Sequence, residues 1–277
     1  MIGGVALVLI ATLIVAPQPG FAQAAAPASA PTGALTVDRI KTFLRTAKIV
    51  ASKGTDKCVT APRRLTLTDG DITHDAIFQA IDEHKLQQKL GLTGATELNF
   101  VDSYKYNIAA YELATLLGLE NMMPVYVERS WNGQTGSLSW FLPSLMDESE
   151  RLKRKVSPPD PAQWNQEMYR MRVFSALTRD TDRNLTNVLI SPKWEVVMIE
   201  FSRAFRLQPE IMYASDLPKI DRALFARLQA ITREDVERVT KDWLTTREID
   251  PLMQRRDLLV AHFKKLIAER GENQVLY

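Results

Sequence analysis

Apolar residues at Leu35, Ile40, Leu44 and Ala47 recur at helical spacing and predict an amphipathic helix over about 35–47. The period then shortens. Ile49-Val50 leads into Lys53-Gly54-Thr55, and Arg64-Leu65-Thr66-Leu67-Thr68 alternates up to Asp69-Gly70. That dipeptide is a hairpin turn signal, and Ile72 to Ile81 reads as the partner strand. From Ser103 to Gly118, Ile108, Tyr111, Leu113, Leu116 and Leu117 return to helical spacing, with Gly118 as the stop. Pro124 to Arg129 reads as a strand, and Gly133 and Gly136 flank a turn before Leu138-Ser139-Trp140-Phe141.

The second half changes character. Asp160-Pro161 is a helix start, with Asp as N-cap and Pro at the first position, and the helix runs to about Thr178. A polar loop over 181–187 precedes a strand, a turn at Ser191-Pro192-Lys193 and a second strand ending at Glu200. Three helical stretches follow, about 217–230, 233–243 and 246–270. The later two open with the capping boxes Thr232-x-x-Asp235 and Thr245-x-x-Glu248, and Gly271 ends the last. The pattern predicts an α+β architecture. A β-rich N-terminal lobe with one internal helix spans 35–130, and a mainly helical lobe with one inserted hairpin spans 131–277.

A chain of 277 residues, 45% hydrophobic, buries enough core for one large domain or two lobes. Its formal net charge of +2, with both signs interleaved, gives no case for nucleic acid. The cluster Arg151-Leu152-Lys153-Arg154-Lys155 reads as a solvated helix face. Cys58 is the single cysteine, which excludes an intrachain disulfide, and the three histidines have no zinc-ligand spacing. Metal chemistry would have to be oxygen-ligated. The five tryptophans are scattered and read as packing residues.

The N-terminus has its own signal. Gly4 to Ala16 is apolar but short for a membrane span, and Ala22-Gln23-Ala24 follows as a cleavage pattern. Residues 1–24 are predicted to be a signal peptide, although no Lys or Arg precedes the apolar run, and 25–34 a flexible tether. The expectation is export, periplasmic or secreted, with no stable membrane span after signal removal; an uncleaved anchor is the alternative.

A hairpin brings the loop at its start close to the acid at its end. Asp182, Asn187 and Glu200 are therefore expected to converge, the minimum for holding a divalent metal on a phosphate and positioning an attacking hydroxyl. The plainer alternatives are turn-capping side chains at Asp182 and Asn187, and a salt bridge from Glu200 to Arg203 or Arg206.

The Asp-Arg-Asn-x-x-Asn loop (182–187) occurs together with Asn-Ile-Ala-Ala-Tyr (107–111), Pro-Pro-Asp (158–160) and Ser-Arg-Ala-Phe-Arg (202–206). With these motifs the chain resembles the atypical branch of the protein-kinase-like superfamily: secretory-pathway kinases, phosphatidylinositol 4-kinases, HipA-like kinases and, most closely, exported bacterial proteins with the same loop. The resemblance implies a two-lobed kinase-like fold, with Asp182 as the catalytic aspartate and Asn187 as a metal ligand. Glu200 stands where the family has its metal-binding aspartate. Gln79 takes the place of the phosphate-binding lysine, and Asn107 that of the glutamate paired with it. As neutral amides they hydrogen-bond to each other or to a phosphate, but supply no positive charge. Lys53, Lys85 or Lys105 would supply it from elsewhere, with Glu97 as a possible partner. No GxxxxGK[ST] loop is present, and Gly54 alone is too little for a glycine-rich loop. The implied ligands are ATP or another nucleotide with Mg²⁺ or Mn²⁺, and the implied activity is phosphoryl transfer to an unknown hydroxyl acceptor. The alternative is a pseudokinase, a nucleotide- or protein-binding regulatory module without catalysis.

Overall fold

The structure, a computed structural model, describes residues 35–54, 62–89 and 96–277. The predicted signal peptide and tether, 1–34, and Cys58 lie outside the described residues. Helix α1 (Val37–Thr46) is N-capped by Thr36, whose hydroxyl accepts the Arg39 N–H at 3.2 Å. Strands β1 (Lys48–Lys53), β2 (Arg63–Thr68) and β3 (Thr73–Gln79) form an antiparallel meander. The β2–β3 turn falls at Asp69-Gly70, as its residues predict. The Asp69 carboxylate accepts the N–H groups of Asp71 and Ile72, and Gly70 takes a φ of +98°.

A second hairpin, β4 (Asp82–Lys89) with β5 (Thr96–Ser103), lies between β3 and helix α2 (Tyr104–Leu117). The sequence pattern missed this ribbon because most of it is solvent-exposed and carries no buried alternation. Helix α2 ends at Gly118 in the left-handed region. Strands β6 (Tyr126–Trp131) and β7 (Gln134–Trp140) complete a five-stranded sheet in the order β1-β2-β3-β7-β6. Because β6 and β7 pair with each other and β7 pairs with β3, the sheet runs to Trp140. The predicted boundary at 130/131 therefore cuts a hairpin, and the lobe ends about ten residues later. Phe43 and Leu44 of α1 pack on Leu65, Leu67, Phe78 and Leu138 to form this sheet's own small core.

The second lobe begins with β8 (Met146–Asp147) and α3 (Glu148–Arg154), followed by α4 (Pro161–Thr178). The Asp160 carboxylate accepts the N–H groups of Ala162 and Gln163 at the head of α4. The predicted hairpin is β9 (Val188–Ile190) with β10 (Val196–Met198), and β8 adds to it as a third strand. Helices α5 (Arg222–Ala230), α6 (Arg233–Thr240), α7 (Thr246–Arg270) and α8 (Glu272–Val275) finish the chain. At α6, Thr232 and Asp235 exchange both bonds of a capping box, and at α7 Glu248 reaches back to the Thr245 N–H at 2.7 Å. Within the basic cluster, Arg151 turns inward onto the buried Glu148, whereas Lys153 and Arg154 are exposed.

The larger core joins α2 to α4, the β9–β10 hairpin and α5–α7. Helix α2 is thus apolar nearly all round and buried between the sheet and the helical lobe. Among the described residues no helix is long and apolar enough to cross a membrane. Gly136 in β7 leaves room for the β3 backbone, since a Cβ there would stand 2.3 Å from the Gln79 carbonyl oxygen. Gly136→Ala is expected to cost about 1–3 kcal/mol through forced displacement of β3. A lower urea midpoint at unchanged slope would register that loss.

Candidate active site

The loop between α4 and β9 is built around two buried charges. Asp180 accepts the Asp182 N–H at 3.0 Å and forms an ion pair with Arg183 at 2.6 Å. The Arg183 guanidinium donates to the carbonyls of Asn187 (2.7 Å), Ile199 (2.6 Å) and Glu200 (3.2 Å), and stands 4.2 Å from the Phe201 ring centroid. One side chain therefore ties the loop to the far end of the hairpin. The Asn187 amide donates to the Asp182 carbonyl at 3.0 Å, and the Asn184 amide lies 3.4 Å from the Asp182 carboxylate. Ladder pairing from Val188–Met198 onward, with the Ile199 N–H on the Asn187 carbonyl, places Asn187 opposite the segment leading to Glu200.

A chain of neutral amides crosses from the sheet to this site. The Gln79 amide nitrogen donates to the Glu200 carboxylate at 3.0 Å, and the Gln79 carbonyl accepts from Asn107 at 2.7 Å. The Asn107 carbonyl in turn accepts the Phe201 N–H at 2.7 Å. Asn107 is 1% exposed and fully spent within the protein, so it holds structure rather than ligand. Glu200 itself sits in the left-handed region at φ 57°, a strained position for a non-glycine residue, and the Asn107–Phe201 bond secures the turn directly after it. Burial pushes the Glu200 carboxyl above its ordinary value; the Gln79 bond and Arg183 oppose this, whereas the charges of Asp102 and Asp182 add to it.

Two cavities meet these residues. One, of about 350 Å³, lies between the sheet and the hairpin; it is lined by Ile77, Gln79, Tyr126, Phe141, Leu189 and Glu200 among others, with no Lys or Arg among the described residues. The other, of about 360 Å³, lies on the helical side and is lined by Asp182 together with residues of α4 and of the segment 212–217. Glu200 lines the first and Asp182 the second, and the Asp182 charge reaches Glu200.

The structure thus brings together Asp182, Asn187, Glu200, Gln79 and Asn107. The predicted lysines lie elsewhere. Lys53 stands at the exposed end of β1, Lys85 pairs with Glu83 at 2.6 Å and lines a different groove, and Lys105 pairs with Asp82 at 3.0 Å. Glu97 binds no lysine; it takes Arg203 at 2.7 Å and Arg206 at 2.9 Å, which leaves neither arginine for Glu200. Sequence reasoning gave no role to Arg183, Asp180 or Asp102. Arg183 is the second residue of the loop motif and Asp180 lies two residues before its start, and their signal was adjacency. Asp102 gave none, because it lies at the end of the unpredicted β5.

Oxygen donors at Asn187 and Glu200 suit Mg²⁺ or Mn²⁺. The Asn187 side-chain oxygen accepts no hydrogen bond among the described residues, whereas its amide nitrogen is spent on the Asp182 carbonyl. Among those residues no group of three or more His, Cys, Asp or Glu is placed to hold a metal ion, so the remaining ligands would come from phosphate and water.

No family model matches the chain, and no match is found among curated proteins. Among solved structures, a hydra Fam20 protein solved with sugar superposes with a TM-score of 0.63 at 14% identity, covering 87% of this chain and 92% of that one. The Helicobacter pylori proinflammatory kinase CtkA superposes at 0.53 and 11% identity, covering 83% and 98%. The chain has an atypical protein-kinase-like fold, with the mixed sheet and helix architecture of these neighbours.

A raised carboxyl favours the folded state most below its ordinary value of 4.5 and loses that advantage as pH rises through the folded pKa. Glu200→Gln removes the loss. Without metal, the variant is expected to melt about 2–4 °C above the parent at pH 7. The gap should close as pH falls toward 4.5, and a variant less stable at pH 7 would contradict the assignment of burial as the cause.

Proposed function

We propose that this protein is an exported, metal-dependent phosphotransferase that moves a phosphoryl group from a nucleotide to a hydroxyl acceptor. The observation that carries the reading is that Asp182 and Glu200, each lining its own cavity, are tied together through Asn187 and Arg183. The apolar interlobe cavity fits a nucleotide base and sugar, with the phosphates directed to Glu200. Asp182 faces the second cavity, where it would orient the acceptor hydroxyl and receive its proton as the bond to phosphorus forms. Glu200 and Asn187 would hold Mg²⁺ or Mn²⁺, which when bound offsets phosphate charge. Arg183 and Asp180 hold the loop in place throughout, and Gln79 keeps one amide N–H for a phosphate oxygen.

A regulatory, non-catalytic reading is favoured by one specific observation. The interlobe cavity has no cationic side chain among its described lining residues, and the Gln79–Asn107 pair is neutral. A triphosphate there would depend on metal alone for charge balance.

Melting temperature and ADP release, measured with ATP and Mn²⁺ or Mg²⁺, separate the two. Catalysis predicts a metal-dependent thermal upshift with ADP release. Asp182→Asn should keep the upshift and lower ADP release about 10²–10⁴-fold. An upshift with no ADP release in parent or variant would leave the regulatory reading standing. No upshift with any nucleotide would count against both.

A further inference from the structure

We propose that the second cavity is an acceptor subsite for an aromatic hydroxyl, a phenol carried either on a small molecule or on a tyrosine side chain. The inference rests on the phosphotransferase reading and specifies its acceptor. Met168 and Met171 from α4 and Met212 from the following segment line the cavity, and Tyr213 stands at its rim, 73% exposed. Thioethers are polarisable, adapt to irregular shapes and make favourable contacts with ring edges. Tyr213 has a φ of 52°, a left-handed conformation unusual for an aromatic residue that holds an exposed ring beside the cavity that Asp182 lines.

Several of the polar groups in this wall are already committed. Asp180 is paired with Arg183, the Asn184 carbonyl accepts from Thr186, and the Thr181 hydroxyl donates to the Arg203 carbonyl. A sugar or other polyol would set several hydroxyl groups against the three thioethers, which accept hydrogen bonds only weakly, and that costs affinity. Two groups remain. The Ser175 hydroxyl, in a residue only 9% exposed, has no hydrogen-bond partner among the described residues. The exposed Arg172 makes no ion pair among those residues and stacks only on Tyr169 at 5.6 Å. A flat ring with a hydroxyl and one further polar substituent matches this inventory. The ring lies among the methionines, the hydroxyl faces Asp182, and the second substituent meets Ser175 or Arg172.

The step balances with the nucleotide as donor. The phenol oxygen bonds to the γ-phosphorus, the bridging oxygen bond to the β-phosphate breaks, and ADP leaves with that electron pair. The phenol proton passes to Asp182.

Two measurements test the assignment. In the first, the nine methionines are labelled with ¹³C at their methyl groups and the protein is titrated with 4-methylphenol, N-acetyltyrosinamide or glucose, without nucleotide. Saturable shifts are expected for both phenols at Met168, Met171 and Met212, assigned by single Met→Leu variants, and none with glucose. Shifts from glucose alone, or none from either phenol, overturn the proposal. In the second, ATP and Mn²⁺ are added and aryl phosphate is followed by ³¹P spectroscopy. Phenols should be used with KM about tenfold or more below that of glucose, and Tyr213→Ala should raise the phenol KM by a similar factor. Product from a tyrosine peptide but not from 4-methylphenol would assign the acceptor to a polypeptide. ADP release with other hydroxyls and no aryl phosphate overturns the acceptor class. Methyl shifts with no ADP release under any condition would instead overturn the phosphotransferase reading.

Discussion

Arg183 is the constraint on which the site depends. Glu200 feels the negative charges of Asp102 and Asp182, with Arg183 as the cation opposing them. Yet the guanidinium spends its donors on three backbone carbonyls and Asp180. It fixes where the 181–187 loop and the end of the hairpin lie, and it opposes only part of the negative charge there. A buried polar group is tolerated when its hydrogen-bonding capacity is used, and here that use sets the spacing of the functional side chains. The surplus of negative charge that remains accords with a site completed by a divalent cation.

How much of this was readable from residues alone varies by element. The hairpin from Val188 to Met198 was legible because apolar alternation, a Pro-containing turn and a polar loop coincide within about twenty residues. Helix starts at Asp160 and Thr232 were legible because capping is a local property. The β4–β5 ribbon was not, since a two-stranded element exposed along most of its length carries almost no burial pattern. That omission hid Asp102 and gave Glu97 the wrong partners. Substitutions at Gln79 and Asn107 could be read as losses from a familiar pattern. Their mutual bond, and the capture of the Phe201 N–H, depend on three segments meeting in space. The left-handed turn at Glu200 likewise has no signature in a glutamate.

Helix α2 explains why the two lobes form a single compact unit. It lies in the same core as the helical lobe, and its Asn107 reaches β3 and the residue after Glu200. Arg203 and Arg206 fasten the segment after the hairpin to β5 through Glu97. Arg255 of α7 is wholly buried and donates to the carbonyls of Leu177, Arg206 and Gln208, joining α4 to that same segment. Burial lowers its pKa to about 9, and the ion stays charged at neutral pH through backbone dipoles with no carboxylate bonded to it.

The amide pair that joins β3 to α2 has an environmental meaning. An ion pair in this position would weaken with added salt or with protonation of its acid. The Gln79–Asn107 contact has no net charge and no titrating proton. Its strength is set by geometry and dryness, so the join between β3 and α2 should hold from dilute medium to brine and across a wide span of acidity. Whatever the ionic strength or acidity around the protein, this element of its framework would be indifferent to it.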